Sequence, residues 1–233
     1  MIDKEQYIRA WQSRVGRKTA CLDYDGYTKE ELEKLHGYYQ IITEYYDTKL
    51  NNKVLIDYGC GGGLLGKYLF LFEHNIKKYI GIDIADRCVN EARLNNLCWY
   101  NKEVEIDIIK TNPNEPVNIS QLKGGILVCI NVIRYLPDIE YVNDLLDKFN
   151  KSRVKYIALN FRLANKNNFR EKKYKTTEDI GLACVLSLQS VVEQMKRYKV
   201  VKIKNVGENC FVFFEKKTRE RKVIAENDNT ISD

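Results

Sequence analysis

Between residues 54 and 66 the chain changes character in a way few folds can absorb. Lys53–Asp57 is a short apolar run, Val54-Leu55-Ile56, with an acid at its end, and Tyr58 comes next. Gly59-Cys60-Gly61-Gly62-Gly63 follows, with four glycines in five positions, and Leu64 opens an apolar helical pattern. A continuous apolar run of this length predicts a strand covered on both faces. Glycines let the turn take positive φ and bring the backbone close to a ligand. The helix after it offers unpaired N–H groups to anionic or electron-rich atoms.

The same pattern recurs along the chain. Short apolar runs at Tyr79–Ile82 (ending in Asp83), Val104–Ile109, Gly125–Ile130 and Lys155–Leu159 read as further strands. Helical spacing falls between them, and such alternation predicts a parallel α/β sheet. Upstream, Thr28-Lys29-Glu30-Glu31 has the form of a capping box. Leu32, Leu35, Tyr38 or Tyr39, Ile42 and Tyr45 or Tyr46 then mark a helix that ends at Asn51-Asn52. Asp86 is placed to cap the helix after Asp83. Pro137-Asp138 starts a helix with Ile139, Val142, Leu145, Leu146 and Phe149 on one side. Ser187 is the N-cap of a helix over Leu188–Tyr198. Lys199–Asn205 and Cys210–Glu215 read as an antiparallel hairpin around Val206-Gly207-Glu208-Asn209. The organisation expected is a helical segment over 1–52, a candidate lid, then a core over 53–217 with a basic insertion at 162–185, and a polar tail over 218–233.

Composition excludes several classes. At 44% apolar and 30% charged residues the chain is an ordinary globular one. No apolar run approaches the ~20 residues that span a bilayer, and the first residues lack the apolar stretch of a secretory signal. Seven cysteines, with no CxxC pair, argue against a disulfide framework and against a structural metal site, and so for the cytoplasm. The net charge is +6, with much of the excess at Lys166–Lys175 and Lys216–Lys222. These stretches read as a solvated loop and a solvated tail; an anionic partner is the alternative.

Twenty-six residues after Asp57, Asp83 ends the second strand. A carboxylate there can accept hydrogen bonds from both hydroxyls of a ribose. Two registers of the glycines compete. Gly61-x-Gly63-x-x-Gly66 satisfies the dinucleotide pattern. The other register puts Asp57 at the strand end and the turn at Gly59–Gly63. An acid so placed would repel a pyrophosphate and suits a ligand that carries a cation instead.

Asp57-Tyr58-Gly59-Cys60-Gly61-Gly62-Gly63 resembles the first motif, (D/E)xGxGxG, of the class I S-adenosylmethionine-dependent methyltransferases, and Gly81-Ile82-Asp83-Ile84 resembles the second. Asn131-Val132-Ile133-Arg134-Tyr135-Leu136-Pro137-Asp138 is similar to the segment after the fourth strand in small-molecule members. The resemblance covers about Lys53–Lys217. It implies a doubly wound, mostly parallel seven-stranded sheet in the order 3-2-1-4-5-7-6, with strand 7 antiparallel. It implies S-adenosyl-L-methionine as cofactor, held by Asp57, Gly59, Cys60, Gly61, Gly63, Asp83, Ile84 and Asn131. It puts Asn131, Arg134 and Tyr135 beside the transferred methyl group. The Asn131 segment is neither of the base-methylating runs, (D/N/S)PP(Y/F) or NLPY, so a small-molecule acceptor is expected. An RNA or protein acceptor and a non-catalytic nucleotide-binding module are the alternatives. Cys60 reads as a small turn residue, His36 and His74 as packed or surface residues, and the Tyr38, Tyr39, Tyr45, Tyr46 stripe as a core face, with a lid over the cofactor as the other reading.

Overall fold

The computed structural model describes residues 29–101, 103–111, 119, 125–136, 139–163 and 185–218. Helix α1 spans Lys29–Leu50 and stops at Asn51-Asn52, where Asn52 takes φ 53°. Thr28 of the capping box lies outside the described residues. Then follow β1 (Val54–Tyr58), α2 (Leu64–Leu71), β2 (Lys78–Asp83), α3 (Asp86–Asn95) and β3 (Glu105–Lys110). After them come β4 (Ile126–Cys129), a 3₁₀ turn at Ile133–Tyr135, α4 (Ile139–Lys151), β5 (Tyr156–Leu163) and a two-residue β6 (Val185–Leu186). The described chain closes with α5 (Leu188–Gln194), β7 (Tyr198–Val206) and β8 (Asn209–Lys216).

The main sheet runs β3-β2-β1-β4-β5-β8-β7, and β6 pairs with β5 off that path. With the two-residue β6 set aside, this is the expected 3-2-1-4-5-7-6 order. β1 pairs in parallel with β2 and β4, and β8 lies antiparallel between β5 and β7. Successive side chains on a strand face opposite ways, and the sheet buries both faces. Ile56, Leu127, Cys129 and Leu159 pack with Val142, Leu145, Leu146 and Phe149 of α4. Leu55, Ile126, Val128 and Phe213 pack on the other side with α1 and α2. The apolar positions of α4 recur at helical spacing, and each such side chain fully buried contributes about 1.5–3 kcal/mol.

Tyr38, Tyr39 and Tyr46 are buried in that second layer, so the tyrosine stripe is a core face. Ser187 caps α5 as expected, its Oγ accepting from the Ser190 amide at 3.1 Å.

Several expectations are corrected. Asp86 does not cap α3: Ala85 holds the N-cap position, and Asp86, the first helical residue, pairs with Lys110. α5 ends at Gln194, because Tyr198 is drawn into β7. The ends of the expected insertion belong to the sheet, Arg162 to β5 and Val185 to β6, where they pair with each other. Cys60, Cys98, Cys129 and Cys210 are free thiols, but Cys88 is disulfide-bonded. One such bond is no framework, yet it departs from a chain of thiols alone. No helix among the described residues is long and apolar enough to cross a membrane.

Candidate functional site

The carboxyl ends of β1, β2 and β4 form one edge, and the glycine turn sits on it. The turn is fixed from below by the backbone: the amides of Gly59 and Cys60 donate to the Ile82 carbonyl at 2.7 and 3.1 Å. Gly59 takes φ 75° and Gly63, the N-cap of α2, takes φ 73°. Both are sterically required. A Cβ on Gly59 would lie 2.1 Å from Cγ2 of Val132, and one on Gly63 would lie 2.4 Å from Nδ2 of Asn96. The turn thus touches the segment after β4 directly.

Three side chains that sequence reasoning missed clamp the turn and the start of α2. Asn95 donates to the Gly62 carbonyl at 2.9 Å. Asn96 donates to the carbonyls of Gly63 and Ala92 at 3.1 and 2.8 Å. The Trp99 indole donates to the Gly66 carbonyl at 3.2 Å. In sequence, Asn95-Asn96 looks like an ordinary helix end; only the fold brings it to the turn.

The two acids are both buried. Asp83 Oδ2 accepts the Gly61 amide at 2.9 Å and Oδ1 accepts the Ala85 amide at 3.0 Å. Burial pushes the Asp83 carboxyl up, and these N–H groups pull it back. A carboxylate offers about four lone-pair sites, and the Ile84 amide also bonds this one, so one site stays open for a hydroxyl donor. Asp57 is 5% exposed and its Oδ2 accepts from the Tyr79 hydroxyl at 2.7 Å. Burial pushes its carboxyl up to about 7; the Tyr79 bond opposes this and the charge of Asp83 adds to it. Tyr79 is a fourth residue the sequence did not single out, hidden in an apolar strand.

Cys60 is buried beside both acids, and burial followed by their charges pushes its thiol well up. It is a packed turn residue, 8% exposed. Ile84 is half-buried against the core. The histidines pack on α2: the rings of His36 and His74 lie 5.3 and 6.3 Å from that of Tyr68. Burial lowers both imidazoles.

After β4, Asn131 adopts φ 57°, unusual for a residue with a side chain. Its amide donates to Oδ1 of Asn160 at 2.6 Å, and Asn160 Nδ2 returns a bond to Asn131 Oδ1 at 3.3 Å. Asn160 is buried in β5; its one signal in the sequence is a polar residue interrupting an apolar strand. The 3₁₀ turn then carries Arg134, whose guanidinium carbon lies 5.1 Å from the Tyr135 ring centre.

The side-chain partners of the turn are thus one carboxylate and two amides, with a second carboxylate behind them. Pyrophosphate sites use backbone N–H groups without acids facing the phosphates. This set suits a ligand that offers hydroxyls and a positive charge, which fits S-adenosylmethionine.

No protein-family model matches the chain. A ubiquinone biosynthesis O-methyltransferase of Hydrogenovibrio crunogenus is 27% identical over 89 residues, 38% of this chain and 34% of that protein. One from Saccharophagus degradans is 27% identical over 110 residues, 46% of this chain and 44% of that protein. The matches therefore span less than half the length of these curated relatives. Among solved structures, magnesium protoporphyrin IX methyltransferase from Synechocystis PCC 6803, with bound SAH, superposes with a TM-score of 0.67 at 14% identity. That superposition covers 92% of this chain and all of the other. A small RNA methyltransferase gives 0.59 at 15% identity over 82% of this chain and 26% of the other. The pyocyanin biosynthetic protein PhzM gives 0.57 at 15% identity over 88% of this chain and 61% of the other. Strand order, glycine turn and superposition agree: the chain has the fold of the class I S-adenosylmethionine-dependent methyltransferases.

Proposed function

We propose that this chain is an S-adenosylmethionine-dependent methyltransferase that acts on a small-molecule acceptor. The observation that carries the reading is the pair of buried acids, Asp57 and Asp83, behind and on the glycine turn at the carboxyl edge of the sheet. In this reading Asp83 takes a ribose hydroxyl, Asp57 faces the positive end of the ligand, and the backbone of Gly59–Gly63, with Cys60 and Ile84 beside it, lines the adenosine. Asn131, held by Asn160, closes the site from the β4 side.

Bound there, S-adenosylmethionine supplies a methyl carbon activated by its sulfonium. The chain's part is to orient the acceptor in line with the methyl–sulfur bond, exclude water, and let the acceptor's proton leave. Orientation alone can lower the barrier by ~7–11 kcal/mol, so a dedicated base is not demanded. Arg134 and Tyr135 are the side chains assigned to the acceptor.

The partial matches to O-methyltransferases support a small acceptor. An RNA or protein acceptor draws on the basic stretches at 166–175 and 216–222, which lie mainly outside the described residues. The reading keeps the cytoplasmic location expected from the sequence. Calorimetry with S-adenosylmethionine and S-adenosylhomocysteine tests it: micromolar or tighter binding of both is expected, and well-folded protein that binds neither would remove it.

A further inference from the structure

Four side chains from three distant stretches form two contacting pairs, Tyr38 with Asn209 and Arg134 with Tyr135. Tyr38 comes from α1, Arg134 and Tyr135 from the 3₁₀ turn after β4, and Asn209 from the start of β8. Asn209 Nδ2 donates to the Tyr38 hydroxyl oxygen at 3.0 Å. Burial raises the Tyr38 phenol, the Arg134 charge opposes this, and Tyr135 adds to it, which places all three in one electrostatic neighbourhood. The cluster is joined to the turn through Val132, two residues before Arg134, which packs on Gly59.

Two buried polar atoms in this cluster have no partner: Nε of Arg134 and Oδ1 of Asn209. Asn209 as a whole is 6% exposed. Exchanging its nitrogen and oxygen would satisfy the phenol equally and still leave one amide atom unpaired. Buried polar groups are seldom left unmade, and each such orphan calls for an explanation; of the four among the described residues, two fall in this cluster. Charge points the same way. Arg162, on β5 and paired in the ladder with Asn209, is neutralised by Glu208. No ion pair among the described residues takes up Arg134. A half-buried guanidinium with no ion-pair partner among the described residues is suited to a planar oxyanion.

We propose that this cluster is the acceptor subsite and that the acceptor carries an anionic oxygen group, a carboxylate or a phosphate, bound by Arg134, and a polar group that pairs with Asn209. The inference rests on the methyl-transfer reading for the identity of the ligand as acceptor.

The test titrates the protein, alone and saturated with S-adenosylhomocysteine, with 4-hydroxybenzoate, phenyl phosphate and the neutral 4-hydroxybenzamide. At least one acid is expected to bind about tenfold or more tightly than the amide, since charge-assisted bonds to Arg are the strong ones. Which acid does so distinguishes a carboxylate from a phosphate acceptor. Arg134→Gln is expected to abolish the preference while S-adenosylhomocysteine affinity stays within about twofold, and Arg134→Lys to restore part of it. Asn209→Leu is expected to weaken both acid and amide. Melting curves of each variant confirm that it is folded. Equal binding of acids and amide, no binding of any, or a preference that survives Arg134→Gln overturns the proposal. If S-adenosylhomocysteine gives no heat, the methyl-transfer reading falls, and the acid-over-amide comparison on the free protein still decides the subsite.

Discussion

The Gly61 amide donates to Oδ2 of Asp83 at 2.9 Å, so the turn after β1 and the acid ending β2 are one hydrogen-bonded unit. Asp83 therefore both shapes the turn and, in the proposed function, binds ribose.

Asp83→Ala should act on both. Loss of the ribose contact is expected to weaken S-adenosylhomocysteine binding by ~1–3 kcal/mol. The freed Gly61 and Ala85 amides should also lower the melting temperature of the ligand-free protein. Calorimetry and thermal melts read the two effects separately; unchanged affinity in a folded variant would contradict the assignment.

Asp57 carries a pH signature. Its carboxyl sits at about 7 in the folded protein against an ordinary 3.8. Below the lower value both folded and unfolded chains hold the proton. Between the two, the unfolded chain sheds it and the folded chain does not, so stability present at low pH is lost as pH rises through the folded value. The loss should reach a few kcal/mol, on the order of 1.4 per pH unit. Asp57→Asn has no such proton, so the stability difference between wild type and variant should shift against wild type from about pH 4 to 7. A parallel pair of pH–stability curves would show that the acid is not so perturbed.

Gly59→Ala meets two obstacles, a positive φ and a Cβ 2.1 Å from Val132 Cγ2. A destabilisation of about 1–3 kcal/mol is expected. Adding Val132→Ala should recover the steric part and leave the backbone part, so a double-mutant cycle by denaturant unfolding should give a favourable coupling. Strict additivity would mean that the two residues do not meet.

Asn160→Ala removes the acceptor for the Asn131 amide and the partner of its side chain. Asn131 is then held at φ 57° without support. The segment carrying Arg134 and Tyr135 should loosen, with kcat/KM for methyl transfer falling about tenfold or more, as misplaced reacting groups do, while the affinity for S-adenosylhomocysteine changes less. Equal losses in both would place Asn160 at the cofactor instead.

The core of this architecture was legible because its physics is local. Continuous apolar strands ending in acids, glycines after the first, and a hairpin at the end reveal the sheet, its order following from the family resemblance. What escaped the sequence depends on contacts between distant residues. Asn96 reaches Gly63 across 33 positions, Tyr79 reaches Asp57 across 22, and Asn209 reaches Tyr38 across 171. None of these residues belongs to a motif; each matters through the partner the fold delivers. Element ends were misjudged where tertiary pairing outweighed local signals, as when β7 drew in Tyr198 and Ala85 took the place meant for Asp86.

The hairpin that completes the sheet has a consequence for biosynthesis. β5 is flanked on one side by β8, which the ribosome makes some fifty residues later. Until that segment emerges, the nascent polypeptide carries a long apolar strand with an open edge, a surface prone to mispairing with other chains. Asn209 arrives with the same stretch. The hydrogen bond between Asn209 and Tyr38 can thus form only after nearly all of the described protein has been translated.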